Sequence, residues 1–468
     1  HSACKQSFYA SESILAMRQC SRAVKGTAMM FPQNFWRNVA WLWLSVTLLL
    51  VLAVLMDNHR DVWEKQPASH NTDKPSDTQI SQGQTLLYLG NCLACHTERG
   101  QPVGAGGRAF ETPFGSVYSS NLTPHMDQGL GTWQADDFWR ALHYGKSKDG
   151  RLLTPVFPYK HTTLITRDDS DAMFAALKTL QPETTQKPIP KVSESLAWPY
   201  NSAVAIAIWR SLFFSSGTYK PQDSKSNEWN RGAYLAQGLG HCAACHSPRN
   251  AWGASGEVND FSGGLMPLVN WYAPSLMSAQ ETGLAQQSIS EIVLLLKSGQ
   301  NATAVASGPM AEVVQHSTQH WPEADLLAVA TYLKEQAQTN SVSDITHKPS
   351  ITKSPGNFLN LGAKIYEQHC EQCHQSQGQG VTHAYPALAQ NRAVLLSDPT
   401  NLVQAVLYGG YPAATTHNPR PFGMPPFVLT LEDREIAAVL THLRSQWGNQ
   451  AAEVTPLQVN RIRALQGR

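Results

Sequence analysis

At 468 residues the chain is too long for one small domain, and its length alone argues for about three. A formal net charge of +1, with 15% charged residues, gives no electrostatic reason to expect nucleic acid or an acidic substrate. Its 28 prolines and 32 glycines argue against a plain bundle of long helices and for small domains with irregular loops.

Residues 1–38 read as a cytoplasmic N-terminal segment. Residues 1–28 lack hydrophobic periodicity, and Met29 would itself open a compact start, so Cys4 and Cys20 carry no weight. Val39–Met56 follows as 18 uncharged, mostly apolar residues. As a helix they reach about 27 Å, close to the hydrocarbon thickness of a bilayer. Lys5, Arg18, Arg22, Lys25 and Arg37 precede this run, while Arg60 stands beside Asp57 and Asp61 after it. The positive-inside rule then places the body of the chain across the membrane, on the periplasmic side of a cytoplasmic membrane. The run exceeds a usual signal-peptide core and lacks a small-x-small cleavage site, which favours a single-pass, uncleaved anchor.

Past a polar linker at 57–79, one plan recurs three times, at 80–185, 228–337 and 356–447. Each repeat opens with a helix-like run into a cysteine pair: Gly83–His96, Arg231–His246 and Leu361–His374. Each closes with acidic residues leading an amphipathic stretch: Thr166–Leu180, Trp321–Gln336 and Thr430–Trp447. Acidic first turns and apolar positions at i, i+3, i+4 and i+7 predict helix in all three. Residues 186–227 form a connector in which Ala203–Phe214 is expected to be a helix packed on a neighbouring domain. Residues 338–355 read as a polar linker and 448–468 as a tail. The expected fold is all-α, three small tandem domains after one transmembrane helix.

The cysteines carry the chemistry. Every cysteine after residue 20 belongs to a C-x-x-C-H motif: Cys92, Cys95 and His96; Cys242, Cys245 and His246; Cys370, Cys373 and His374. Two thiols on one helical turn can add to both vinyl groups of a haem, and the next histidine then lies under the iron as proximal ligand. A zinc site or a thioredoxin-like pair would leave the three regularly placed histidines unexplained. Three covalent haems c are expected, six cysteines holding them and His96, His246 and His374 on the irons.

A thioether in the sixth position suits electron transfer. Met310 in "SGPMAEVV" and Met424 in "RPFGMPPF" lie between motif and closing helix, in Pro- and Gly-flanked loops that stiffen the sulfur's aim. The first repeat has a loop of similar shape, "TPVFPYK", with Phe157 at its tip. Its sixth position is left to His161, His143 or Met126, or to no residue; Met173, inside the closing helix, reads as core.

"WNRGAYLAQGLGHCAACHSPRNAWGA", "SSNLTP", "GLGTWQADDFWRALHYGKSKDG" and "GMPPF" with "LEDREIAAVLTHLR" resemble the membrane-bound three-haem cytochrome c subunits of bacterial periplasmic dehydrogenases. The resemblance runs from about residue 80 to 447. It implies a catalytic partner carrying pyrroloquinoline quinone, flavin, or molybdopterin with iron–sulfur clusters, and ubiquinone or another respiratory acceptor. The alcohol and gluconate branches usually read Ala-Met-Pro-Tyr where this chain has Val156-Phe157-Pro158-Tyr159. That difference resembles the molybdenum aldehyde/isoquinoline branch, which sets the expected partner. His442 stands where the last helix of the family normally has tyrosine. No catalytic constellation for an organic substrate is present, so the chain reads as a non-catalytic electron-transfer subunit. The alternatives are a haem peroxidase using an open first haem and a stand-alone cytochrome.

Overall fold

An uncharged apolar run satisfies its backbone within itself, and Gln33–Asn58 forms one helix, α1, longer at both ends than the expected anchor. The computed structural model describes residues 33–63, 67, 75–185, 189–190, 192–266, 269–340, 356–382 and 384–465. The expectations for residues 1–28, for 64–66 and 68–74 of the 57–79 linker and for most of 338–355 lie outside the described residues. Among the described residues α1 is the one helix long and apolar enough to cross a membrane. The chain divides into this N-terminal part, ending at His59, and a second compact unit from Arg60 onward.

In that second unit the longer helices are α2 (Asp77–Leu89), α3 (Ala135–Tyr144), α4 (Arg167–Leu177), α5 (Ala203–Phe213), α6 (Asn227–Tyr234), α7 (Ile289–Ser298), α8 (Pro309–His316), α9 (Glu323–Asn340), α10 (Gly356–His369), α11 (Thr400–Tyr408), α12 (Asp433–Ser445) and α13 (Pro456–Leu465). Their starts follow from local chemistry. The side chains of Ser76, Thr166, Ser202, Ser226 and Ser288 each accept an otherwise unpaired first-turn N–H. Glu432 and Glu435 close a capping box on α12.

One packing arrangement recurs. Helix α2 lies across α4, α6 across α9, and α10 across α12. At each crossing a glycine lets two backbones touch. A Cβ on Gly83 would sit 1.9 Å from the Ala172 carbonyl oxygen, one on Gly232 2.0 Å from that of Ala328, and one on Gly362 2.2 Å from that of Ala438. The first two pairs share a continuous apolar core that includes Leu86, Met173, Leu177, Leu235 and Leu326, whereas the third is built on its own, around Ile365, Val403, Ile436 and Leu440. Met173 is core, as expected. The Tyr234 hydroxyl donates to Asp169 Oδ2 at 2.6 Å across the joint between the first two pairs.

The expected connector helix forms as α5, and its buried Arg210 donates to the Tyr144 carbonyl at 2.6 Å at the end of α3. Two features depart from the all-α, tail-ending expectation. Two short antiparallel hairpins are present, Ala109–Thr112 with Gly115–Tyr118 and Gly264–Met266 with Trp271–Ala273. The 448–468 stretch contains α13, whose Val459 and Ile462 enter the third core and whose Arg463 pairs with Asp433 at 2.7 Å. The third repeat therefore continues past Trp447.

Because the obstacle at Gly362 is backbone, Gly362→Ala should cost about 3 kcal/mol, the upper part of the overpacking range. Gly217→Ala, whose Cβ would meet nothing within 4 Å, should shift the unfolding midpoint little. Denaturant titration of both variants checks the difference.

Candidate haem-binding site

Each cysteine pair sits on a single turn that follows an α2-type helix. The turn closes by the histidine N–H donating to the first cysteine's carbonyl: His96 to Cys92 at 3.1 Å, His246 to Cys242 at 2.9 Å, and His374 to Cys370 at 2.9 Å. In the first two repeats the residue before the first cysteine, Asn91 or His241, adopts a left-handed conformation that turns the chain out of its helix. None of the six cysteines is in a disulfide.

The three histidines are held alike. Nδ1 of His96 bonds the Ser120 carbonyl at 2.7 Å, that of His246 the Pro274 carbonyl at 2.7 Å, and that of His374 the Pro386 carbonyl at 3.0 Å. A carbonyl only accepts, so Nδ1 carries the proton and Nε2 is the lone-pair donor, the arrangement of a metal-ligating histidine. Burial lowers the pKa of all three rings and keeps them neutral. Burial also pushes the thiols up, Cys92 and Cys242 to about 12 and Cys370 to about 11. Among the described residues no group of three or more His, Cys, Asp or Glu gathers at metal-binding range.

In the third repeat Cys370, Cys373, His374 and Met424 border one cavity of about 1610 Å³ with walls that include Val394, Val406 and Phe427. Met424 is fixed by a two-way backbone bridge to Gly410, with N···O distances of 3.1 and 2.8 Å. Two unpaired thiols, a neutral imidazole and a thioether around apolar walls fit haem c. The cavity reaches Leu93 and Ala94 between the first pair of cysteines, and Gly308 and Ala311 beside Met310. There Arg108 binds the Ala94 carbonyl at 3.0 Å and Glu312 at 2.8 Å.

Met310 is the second residue of α8, half-buried against a small cluster of Ala306, Ala311, Val314 and Ala413. Its counterpart in the first repeat can be counted from the backbone. Helices α3 and α7 each end in a left-handed glycine, Gly145 or Gly299, and then an isolated bridge, Lys146 with Leu152 or Gln300 with Val305. Five residues beyond the bridge partner stand Phe157 and Met310, each beside a proline. Phe157 packs against the same core as Cys92.

The other first-repeat candidates are placed differently. Met126 is 62% exposed. His143 is buried flat on Trp139, centroids 4.5 Å apart, with Nδ1 on the Thr163 carbonyl at 2.8 Å. His161 is buried, its Nδ1 on the Gln237 carbonyl at 2.8 Å and its Nε2 enclosed without a hydrogen-bond partner. The carbonyls that aim the histidines, and Arg108 with Glu312, were not legible in sequence, since any residue supplies a carbonyl.

A family model for cytochrome c matches residues 359–447. The cytochrome c subunit of alcohol dehydrogenase (quinone) from Gluconobacter oxydans is 37% identical over 396 residues, 82% of this chain and 81% of that protein. The chain belongs to the dehydrogenase cytochrome c subunits. Two further members are the gluconate 2-dehydrogenase cytochrome c subunit of Pantoea cypripedii, 32% identical, and the fructose dehydrogenase cytochrome subunit of Gluconobacter japonicus, 31% identical. They align with 84% and 90% of this chain, and with 91% and 89% of their own lengths. As a dehydrogenase cytochrome c subunit, the protein is a haem c electron-transfer component of an oxidoreductase complex.

Burial above all lowers the His161 pKa, to about 3, with the charges of His241, Lys160 and Arg249 adding to it against the Gln237 carbonyl. The unfolded chain therefore takes this proton first, and stability falls as pH drops from about 6.5 toward 3. Between pH 7 and pH 5 the native protein should lose about 2 kcal/mol more than His161→Leu does, measured by chemical denaturation at each pH.

Proposed function

We propose that this chain holds three covalent haems c and passes electrons from a quinoprotein or flavin dehydrogenase to ubiquinone or another respiratory acceptor. The observation that carries this reading is the threefold recurrence of one site: a cysteine-pair turn whose histidine has Nδ1 tied to a carbonyl. Cys92 and Cys95, Cys242 and Cys245, and Cys370 and Cys373 would hold the groups through thioether links, each made by adding S–H across a vinyl C=C with no oxidant needed. With haem bound, His96, His246 and His374 would hold the irons through Nε2, and Met310 and Met424 would supply thioether ligands.

A bound haem supplies a one-electron iron couple; the protein sets its potential and surroundings. Met310 and Met424 favour the reduced state, and apolar walls such as Val394 and Val406 exclude water around the third site. The third site's cavity extends to Leu93 and Ala94 of the first cysteine turn and to Gly308 and Ala311 beside Met310, which supports electron passage among the three sites. Helix α1 serves as a single membrane anchor, with the haem-bearing body on the periplasmic side.

Phe157 argued for a molybdenum partner. Relatives that align with most of both chains include the cytochrome subunits of alcohol (quinone), gluconate and fructose dehydrogenases, and these support the quinone or flavin reading better. Purification from native membranes should bring down a catalytic subunit bearing one of those groups, and its substrate should reduce the haems anaerobically. A subunit carrying molybdenum and iron–sulfur clusters would return the partner to the molybdenum branch, and no catalytic subunit would overturn the reading. Replacing both thiols of one motif, Cys370→Ala with Cys373→Ala, should lower covalent haem from three per chain to two in a pyridine haemochrome assay.

A further inference from the structure

We propose that helix α5 lies on the membrane surface, with its outward apolar face in contact with the lipid that holds α1. This rests on the reading of α1 as a membrane anchor and is independent of the haem sites. Helix α5 inverts the pattern of a helix that faces water. Its one charged residue, Arg210, is buried, while Val204, Ile208 and Leu212 are 69%, 46% and 63% exposed. Spaced at i, i+4 and i+8, these three form a single stripe.

Arg210 decides which side faces in. Its guanidinium donates to the Tyr144 carbonyl at 2.6 Å and lies 4.9 Å from the Tyr159 ring and 4.8 Å from the Phe214 ring. The helix cannot roll to hide its aliphatic stripe without taking a buried cation from its partners. Indole rings extend the stripe. Trp198, just ahead of α5, is 82% exposed. Trp252 is also exposed, and its carbonyl accepts from Nε1 of Trp209 in α5 at 2.9 Å. Tryptophan beside an aliphatic surface suits a membrane–water boundary.

Lipid is selected as the occupant by where the chain leaves the membrane. Helix α1 ends at Asn58, and Asp61, three residues on, forms an ion pair with the buried Lys146. Three residues reach at most about 11 Å. Lys146 follows Gly145, and a Cβ on Gly145 would come within 2.7 Å of the Arg210 guanidinium. The stretch that follows the anchor is thus tied to the same turn that holds α5. With 11 residues, α5 is about 16 Å long, too short to cross the hydrocarbon core, so it lies along the interface.

The test uses full-length holoprotein, alone and in its native complex, in vesicles of phosphatidylethanolamine and phosphatidylglycerol. The vesicles also carry a phospholipid with a diazirine near the top of one acyl chain. After illumination, lipid adducts are mapped by peptide mass spectrometry. They are expected on α1 and on Trp198–Phe213, in both preparations. Combining Val204→Gln, Ile208→Gln and Leu212→Gln should lower the α5 adducts roughly tenfold, with adducts on α1 and covalent haem content unchanged. Adducts on α1 with none on Trp198–Phe213 would overturn the proposal, as would α5 adducts undiminished in the triple variant. Loss of the α5 adducts in the complex alone would overturn it too, by making this face a protein interface. Absence of adducts on α1 would overturn the anchor reading, and this inference with it.

Discussion

The structure depends on a close contact between two helix backbones at a single glycine. Where Gly83, Gly232 and Gly362 meet the carbonyls of Ala172, Ala328 and Ala438, no side chain can intervene. Such a contact removes the freedom of each helix to slide or rotate, since any larger residue would force the axes apart. Each glycine lies eight to ten residues before its first cysteine, so fixing it also fixes where the cysteine turn emerges. The closing helices thus act on the site from a distance, by setting the register of the helices that lead into it.

The second constraint is electronic. A histidine with Nδ1 on a backbone carbonyl has one tautomer and one orientation, and its other nitrogen is a preorganised donor. Using a backbone carbonyl makes the arrangement independent of side-chain identity, which is why Ser120, Pro274 and Pro386 serve equally. The same burial lowers the pKa of the three rings and raises that of Cys92, Cys242 and Cys370. The first two repeats share a core, while the third keeps its own and meets them around a common cavity.

What was legible in the sequence was what is local. Cys-x-x-Cys-His is contiguous, and Thr166 and the Glu432–Glu435 pair announce their helices within four residues. Helix α13 was missed because only Val459 and Ile462 anchor it, too few to show a period against its polar neighbours. The hairpins were missed because their strands are three or four residues long. Arg108 and Glu312 are 204 positions apart and meet only once the repeats pack. Phe157 was found but its meaning was stretched: one residue of one loop carries little information about which enzyme supplies electrons, and the relatives that align over most of both chains outweigh it.

The most direct measurement of the central claim is mass spectrometric peptide mapping of the holoprotein purified from its native membrane. The account predicts three haem-bearing peptides, one containing Cys92 and Cys95, one Cys242 and Cys245, and one Cys370 and Cys373. Recovery of any of these pairs as unmodified or disulfide-linked cysteine would contradict it.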